Sequence, residues 1–144
     1  MHCFEETRLL SVSAATMYDL VMDIEAYPAF VPWISAAEIL SESEHELSAE
    51  LTIDLAGMKH KFQTVDKFMP HKLIEIRLLA GPFRFLESVW TFQPIDKHSC
   101  EVHFSIEFEF SSTMLDIVAS PIFGVACKTM VNTFEKRALS LSAI

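Results

Sequence analysis

The segment Cys100–Ile122, CEVHFSIEFEFSSTMLDIVASPI, decides the fold. Its first half alternates without a break, with Cys100, Val102, Phe104, Ile106, Phe108 and Phe110 set against Glu101, His103, Ser105, Glu107 and Glu109. A period of two sends these sets to opposite faces of an extended chain, so the segment reads as an antiparallel strand with one apolar and one wet face. From Ser112 the period becomes helical and holds almost to Ile144, with Leu115, Val118, Ile122, Met130, Val131, Phe134 and Leu141 forming an apolar stripe. Pro121 interrupts that stripe, and with Ser120 beside it as a potential cap a kink or restart is expected there.

The chain before this segment is mostly strand. Cys3–Val12 reads as a first strand, Ser13 as an N-cap, and AATMYDLVMDI as a short helix with Met17, Leu20, Val21 and Ile24 on one face. The next stretch, Ile24–Ser35 (IEAYPAFVPWIS), places Tyr27, Phe30 and Trp33 around Pro28 and Pro32. Proline removes backbone donors and disfavours helical geometry in the residue before it, so a single helical turn between the two prolines is expected. Strands of about ten residues follow in quick succession. ELSAELTIDLAG puts Leu47, Ala49, Leu51, Ile53 and Leu55 on one face, Gly57 suits the turn into MKHKFQTVDKFMP, and Pro70 ends that strand. KLIEIRLLA closes on the turn Gly81-Pro82, and FRFLESVWTFQP shifts its apolar phase near Phe85 and Leu86, the mark of a bulge.

The order is therefore strand, two short helical pieces, six strands and one long C-terminal helix, an α+β arrangement in a single domain over residues 1–144. Consecutive antiparallel strands form a curved sheet of about seven strands, and the long helix must cover its apolar face. One helix does not fill so wide a sheet, so a hydrophobic cavity between them is expected.

The other residues narrow the function. No apolar run approaches the roughly 20 residues of a membrane span, and the N-terminal segment MHCFEETRLLSV has no signal- or transit-peptide pattern, so the expected address is the cytoplasm, with any membrane contact peripheral. The net charge of −9 opposes broad binding to nucleic acid, and no DNA partner is expected. Cys3, Cys100 and Cys127 share no disulfide or zinc spacing and read as reduced thiols. The six histidines, His2, His45, His60, His71, His98 and His103, show no paired-ligand spacing and read as surface residues, so no metal is expected. Ser88 lacks a nucleophile-elbow glycine pattern, and Cys127 lacks a partner histidine nearby in sequence. Glu87 stands in an otherwise apolar strand, either as an exposed or salt-bridged carboxylate or as an acid inside the cavity, there paired with a cation such as Arg137 or Lys136 or else protonated. The basic residues near the C-terminus, Lys128, Lys136 and Arg137, suit the late turns of a helix and offer a modest surface for lipid phosphate or RNA.

Three separated motifs, YDLVMDIEAYPAFVPW, GPFRFLESVWTF and FSIEFEFSSTMLD…MVNTFEKRA, resemble the coenzyme Q-binding, ubiquinone-chaperone family. That family sits within the START-like, polyketide cyclase/dehydrase-type proteins of helix-grip fold, and its bacterial members include ribosome-association toxins. The resemblance covers nearly the whole chain, and a start directly at the first strand points to a bacterial rather than a mitochondrial member. It implies a non-catalytic START-like domain that binds a polyprenyl quinone (ubiquinone) as ligand, uses no cofactor, and delivers the quinone to respiratory components at the inner face of the membrane. The residues from which the lining is expected to be drawn are Phe30, Val31 and Trp33 in the proline-bounded loop, then Leu51, Ile53, Phe62, Leu86 and Trp90 in the strands. Phe104, Ile106 and Phe108 continue the pool in the last strand, and Leu115, Val118, Ile122, Met130 and Phe134 complete it in the helix. Inhibition of ribosomal subunit association, or less favourably a polyketide cyclase or dehydratase activity resting on Glu87, are the alternatives.

Overall fold

The computed structural model describes residues 1–55 and 57–142 of the chain. In chain order the elements are β1 (His2–Leu10), α1 (Ala14–Met22), a 3₁₀ turn (Ile24–Ala29), β2 (Ile34–Glu42), β3 (Glu46–Leu55), β4 (Met58–Met69), β5 (Leu73–Ala80), β6 (Phe83–Asp96), β7 (Ser99–Phe110), α2 (Thr113–Ala119) and α3 (Phe123–Ser142). All seven strands join one antiparallel sheet in the order β1-β7-β6-β5-β4-β3-β2. The first strand pairs with the last, His2 opposite Phe108 and Leu10 opposite Cys100, while the other six form a meander. Register shifts in β2, in the β4–β5 pairing and at Phe83–Phe85 of β6 are bulges that bend the sheet around α3. This is the helix-grip architecture, and the bulge falls where the phase of FRFLESVWTFQP slips.

Local chemistry explains the boundaries. Ser13 caps α1, its Oγ accepting from the Thr16 backbone N–H at 3.1 Å. β1 ends at Leu10, two residues earlier than the pattern suggests, because Val12 leaves the sheet and buries its side chain in the core, 1% exposed. The 3₁₀ turn includes Pro28 instead of lying between the prolines. The Phe30 and Val31 N–H groups both bond back to the Tyr27 carbonyl, and Val31 precedes Pro32, which bars it from extending a helix. At the C-terminal end the helical stripe divides into α2 and α3, bent by 61° across Ser120–Ile122. Ser120 closes α2, its N–H bonding to Asp116 O, rather than capping α3, and Pro121 has no N–H with which to carry the ladder across. α3 is described to Ser142; the expected run to Ile144 ends outside the described residues. Among the described residues no single helix is long and apolar enough to cross a membrane.

The main core lies where α1 and α3 meet β1, β7 and β6, around Met17, Val21, Trp90, Phe104 and Phe134. On β1, where the inward face is partly charged, Arg8 bridges Glu6 at 3.0 Å and Glu135 of α3 at 2.9 Å, tying the helix to the sheet edge. A smaller cluster, Phe62, Phe83, Leu86, Phe110 and Ala119, joins the sheet to α2.

Gly81 makes that second cluster possible. It has φ +147°, and a Cβ there would lie 2.5 Å from Phe62 Cβ and 3.0 Å from Phe62 Cα. Gly81→Ala combines an unfavourable backbone conformation with a collision against the neighbouring main chain, and is expected to destabilise the protein by about 1–3 kcal/mol. A urea unfolding midpoint unchanged from wild type would contradict this account of the turn.

Candidate functional site

A cavity of about 370 Å³ lies between the concave face of the sheet and α3, with α2 and the loop after the 3₁₀ turn at its margins. Its wall follows from the period of the strands. Leu51 of β3 faces Phe62 of β4, Trp90 of β6 faces Phe104 of β7, and Leu86 faces Phe108, so each inward position on one strand meets an inward position on the next. The Trp90 ring packs 4.5 Å from Phe104 and 5.4 Å from Phe134, centroid to centroid, which joins the sheet to α3.

Of the residues expected to line it, Trp33, Leu51, Ile53, Phe62, Leu86, Trp90, Phe104, Ile106, Phe108, Ile122, Met130 and Phe134 reach the cavity wall. The other four do not. Val31 is 1% exposed inside the main core, because the 3₁₀ turn directs it under α1 and not along the loop. Phe30 packs edge-on against Phe134 at 5.3 Å, with the Arg137 guanidinium 5.4 Å from its ring centroid, and so covers the end of the core. Leu115 packs against the smaller cluster, and Val118 is exposed because the bend at Pro121 takes α2 off the line of the α3 stripe.

Polar groups on the wall are few. Ser88 is buried and donates to the Ser105 carbonyl at 2.9 Å. The Tyr27 hydroxyl donates to the Val21 carbonyl, and burial, followed by the charge of Asp66, holds the phenol far above its usual range. Asp66, on β4, is 4% exposed. Thr64 Oγ1 donates to its Oδ1 at 2.8 Å, and among the described residues no side-chain or backbone donor engages Oδ2. Burial pushes the Asp66 carboxyl up to about 6, with the Thr64 hydrogen bond opposing. Sequence reasoning missed Asp66. The signal was present: Phe62, Thr64, Asp66 and Phe68 share one face of β4 at period two, so the two polar residues point the same way as the two aromatics.

Glu87 is not the cavity acid. It is exposed on the outer face of β6, opposite Arg77 of β5 and Glu107 of β7. His2 is not a surface residue either; it is buried between Phe108 and Phe123, and its Nε2 lies 2.9 Å from Asp116 Oδ1. Asp116 also accepts from the Phe110 N–H at 3.1 Å, and these bonds pull its carboxyl below the usual carboxylate range while fastening α2 to β1 and β7. Cys3 is exposed, Cys100 and Cys127 are buried, and all three are free; burial pushes the Cys127 thiol up to about 12, far from a thiolate nucleophile.

The family described as polyketide cyclase/dehydrase and lipid transport matches residues 10–135 of the chain. The ribosome association toxin RatA of Vibrio cholerae is 38% identical over 130 residues, covering 90% of both chains. A mitochondrial coenzyme Q-binding protein homologue of Xenopus laevis is 31% identical over 139 residues, covering 94% of this chain and 57% of that one. The solution structure of an 18 kDa protein from Caulobacter crescentus superposes with a TM-score of 0.79 at 30% identity over the full length of both chains. The seven-stranded sheet gripping α3, the apolar cavity between them and these likenesses agree: the chain belongs to the polyketide cyclase/dehydrase and lipid transport family.

Proposed function

We propose that the chain binds a polyprenyl quinone, without catalysis, in the cavity under α3 and delivers it to respiratory components at a membrane surface. The observation that carries this reading is the lining: among the described residues, aromatic and aliphatic side chains supply nearly all of the wall. A neutral ring with an isoprenoid tail suits such a wall, each buried CH₂ contributing roughly 0.8 kcal/mol before the cost of ordering ligand and protein. The name of the Xenopus relative supports the same ligand class. At about 370 Å³ the cavity is near the lower end of the ~300–1,000 Å³ typical of small-molecule sites, so a long tail has to leave it. Ile122 offers the exit, lining the cavity while 47% exposed, and Met114, Ile117 and Val125 continue the apolar surface outside. Acid–base catalysis of a cyclase or dehydratase needs converging polar groups, and Asp66 is the one carboxylate buried in the wall among the described residues.

Ribosome association is the second reading, favoured by the names of several relatives, among them those of Vibrio cholerae and Pseudomonas aeruginosa. Its cationic surface is thin. Lys128 and Lys136 are exposed on α3, whereas Arg137 is half-buried against Phe30. This reading requires salt-sensitive co-sedimentation with ribosomal particles that weakens in a Lys128→Gln/Lys136→Gln variant.

Native mass spectrometry of protein purified gently from a quinone-producing host is expected to show a co-purifying quinone. Leu51→Trp fills cavity space with an apolar ring, so it is expected to fold normally and lose at least about tenfold in quinone affinity. Empty preparations that also fail to take up added quinone would refute the carrier reading. Ile117→Asp, on the exposed surface of α2, should leave binding in solution unchanged yet slow transfer of bound quinone to neutral phosphatidylcholine vesicles severalfold. Equal transfer rates would remove α2 from the delivery route.

A further inference from the structure

We propose that Asp66 is the head-group residue of the cavity: Oδ2 of its carboxyl hydrogen-bonds an oxygen of a neutral carbonyl- or hydroxyl-bearing ring, so that the site selects quinone-type heads over pure hydrocarbons and anionic lipids. The inference rests on the lipid-binding reading and adds the chemistry of recognition to it. Three observations carry it. Asp66 stands on a predominantly apolar wall and is 4% exposed. Thr64 fixes Oδ1 at 2.8 Å and thereby orients the carboxyl, with Oδ2 unengaged among the described residues. The other wall hydroxyls of Tyr27 and Ser88 donate to backbone carbonyls of the protein itself.

Among the described residues no cation stands on the wall beside it; the Arg137 guanidinium packs on the Phe30 ring, off the wall. Directly opposite Asp66 in the sheet stand Leu47 of β3 and Ile76 of β5. The 3₁₀ turn contributes Tyr27, whose phenol stays protonated, and Asp23, next to that turn, is exposed. Glu6 and Arg8 of β1 and Glu135 of α3 form their own cluster four strands away across the sheet. Asp54, also on the wall, is 45% exposed and pairs with Lys59. An anionic ligand would therefore meet only negative charge, whereas a neutral head meets a carboxyl of either useful form. Protonated, Asp66 donates to a quinone carbonyl; ionised, it accepts from a quinol hydroxyl.

The direction of the pH dependence follows. A quinone carbonyl accepts a hydrogen bond but donates none, so its binding favours the protonated carboxyl and takes up a proton above pH 6. Quinone affinity then falls as pH rises beyond about 6, by up to tenfold per unit, while quinol affinity does not. Stability runs the same way in the empty protein. The folded carboxyl binds its proton more tightly than the unfolded one, so stability declines as pH rises through about 4 to 6 on this group's account.

The test uses the full chain, a decyl-substituted benzoquinone, its quinol, and a hydrocarbon of equal tail length, with quenching of Trp33 and Trp90 fluorescence as the direct readout and displacement for the hydrocarbon. Asp66→Asn should match wild type for the quinone at pH 5, exceed it by about ten- to a hundredfold at pH 8, and show a flat profile between. Asp66→Leu should lose about tenfold for the quinone and nothing for the hydrocarbon. Thr64→Val removes the hydrogen bond that favours the ionised form, so it should move the wild-type inflection to higher pH; it supplies the test if either Asp66 variant fails to fold. Parallel pH profiles for wild type and Asp66→Asn, or no shift in Thr64→Val, would overturn the assignment and leave lipid binding intact. A wild-type protein that binds neither quinone nor hydrocarbon would overturn both.

Discussion

One 20-residue helix faces a seven-stranded sheet, and that mismatch of widths governs the rest of the molecule. Strands spaced about 4.8 Å apart make the flat sheet roughly 29 Å wide, whereas a helix with its side chains is about 10–12 Å across. Bending the sheet at its bulges brings both edges toward α3, and Arg8–Glu135 ties β1 to the helix on one side. It does not close the gap under β3, β4 and β6. The largest packed region forms where α1 and the 3₁₀ turn add to α3; there Phe134 meets Tyr27, Phe30 and Trp90 at ring distances of 5.2, 5.3 and 5.4 Å. Beyond that hub the same inward-facing aromatics line a void.

A void of this kind stays useful only if little in it binds water. Ser88 and Tyr27 are turned inward on the protein's own carbonyls, which removes two hydroxyls that would otherwise hold solvent. Asp66 departs from the pattern. Raising its carboxyl from 3.8 to about 6 corresponds to about 3 kcal/mol of stability forgone when the group is ionised, a cost present above the folded value and relieved below the unfolded one. A leucine would avoid that cost, and the protein is less stable near neutral pH for keeping a carboxyl there. Retention of a destabilising group on a ligand-sized wall is what binding sites, rather than cores, require.

Much of this was legible in the sequence, and the exceptions share a cause. Alternation places Leu51, Ile53, Phe104, Ile106 and Phe108 correctly because a strand's two faces leave only two choices, and one is wet. The helical stripe is less decisive. Leu115 and Val118 fit its period, but a 61° bend at Pro121 rotates α2 away, and a periodicity argument contains no term for the angle after a proline. Val31 and Phe30 sit in a segment whose path is set by 3₁₀ bonds to the Tyr27 carbonyl, so composition alone does not tell core from cavity rim. Glu87 drew attention because its neighbours are apolar, yet in a strand the next neighbours point the other way. Spacing of two does not separate the acids either, since Phe85 and Val89 flank Glu87 as Thr64 and Phe68 flank Asp66; Glu87 lies outside because Leu86, Ser88 and Trp90 take the inward face of β6, whereas Asp66 shares the inward face of β4 with Phe62 and Thr64.

On the proposed carrier reading, the charge distribution bears on how a bound lipid would leave. With a net charge of −9 and only Lys128 and Lys136 exposed as a modest basic surface on α3, overall electrostatic attraction to anionic headgroups is weak. Contact with a bilayer would then rest mainly on apolar area, and exposed apolar side chains gather where α2 meets α3, at Met114, Ile117, Ile122 and Val125. The same bend that removes Val118 from the wall turns these side chains outward beside the exit at Ile122. Asp116, on the opposite face of α2, is held by His2 and the Phe110 N–H, so the helix stays fastened to the sheet while its apolar side remains uncovered. Such a surface favours neutral, loosely packed lipid over a strongly anionic membrane, which suits release of an uncharged ligand into hydrocarbon: the tail can cross from one apolar surface to another without passing through water.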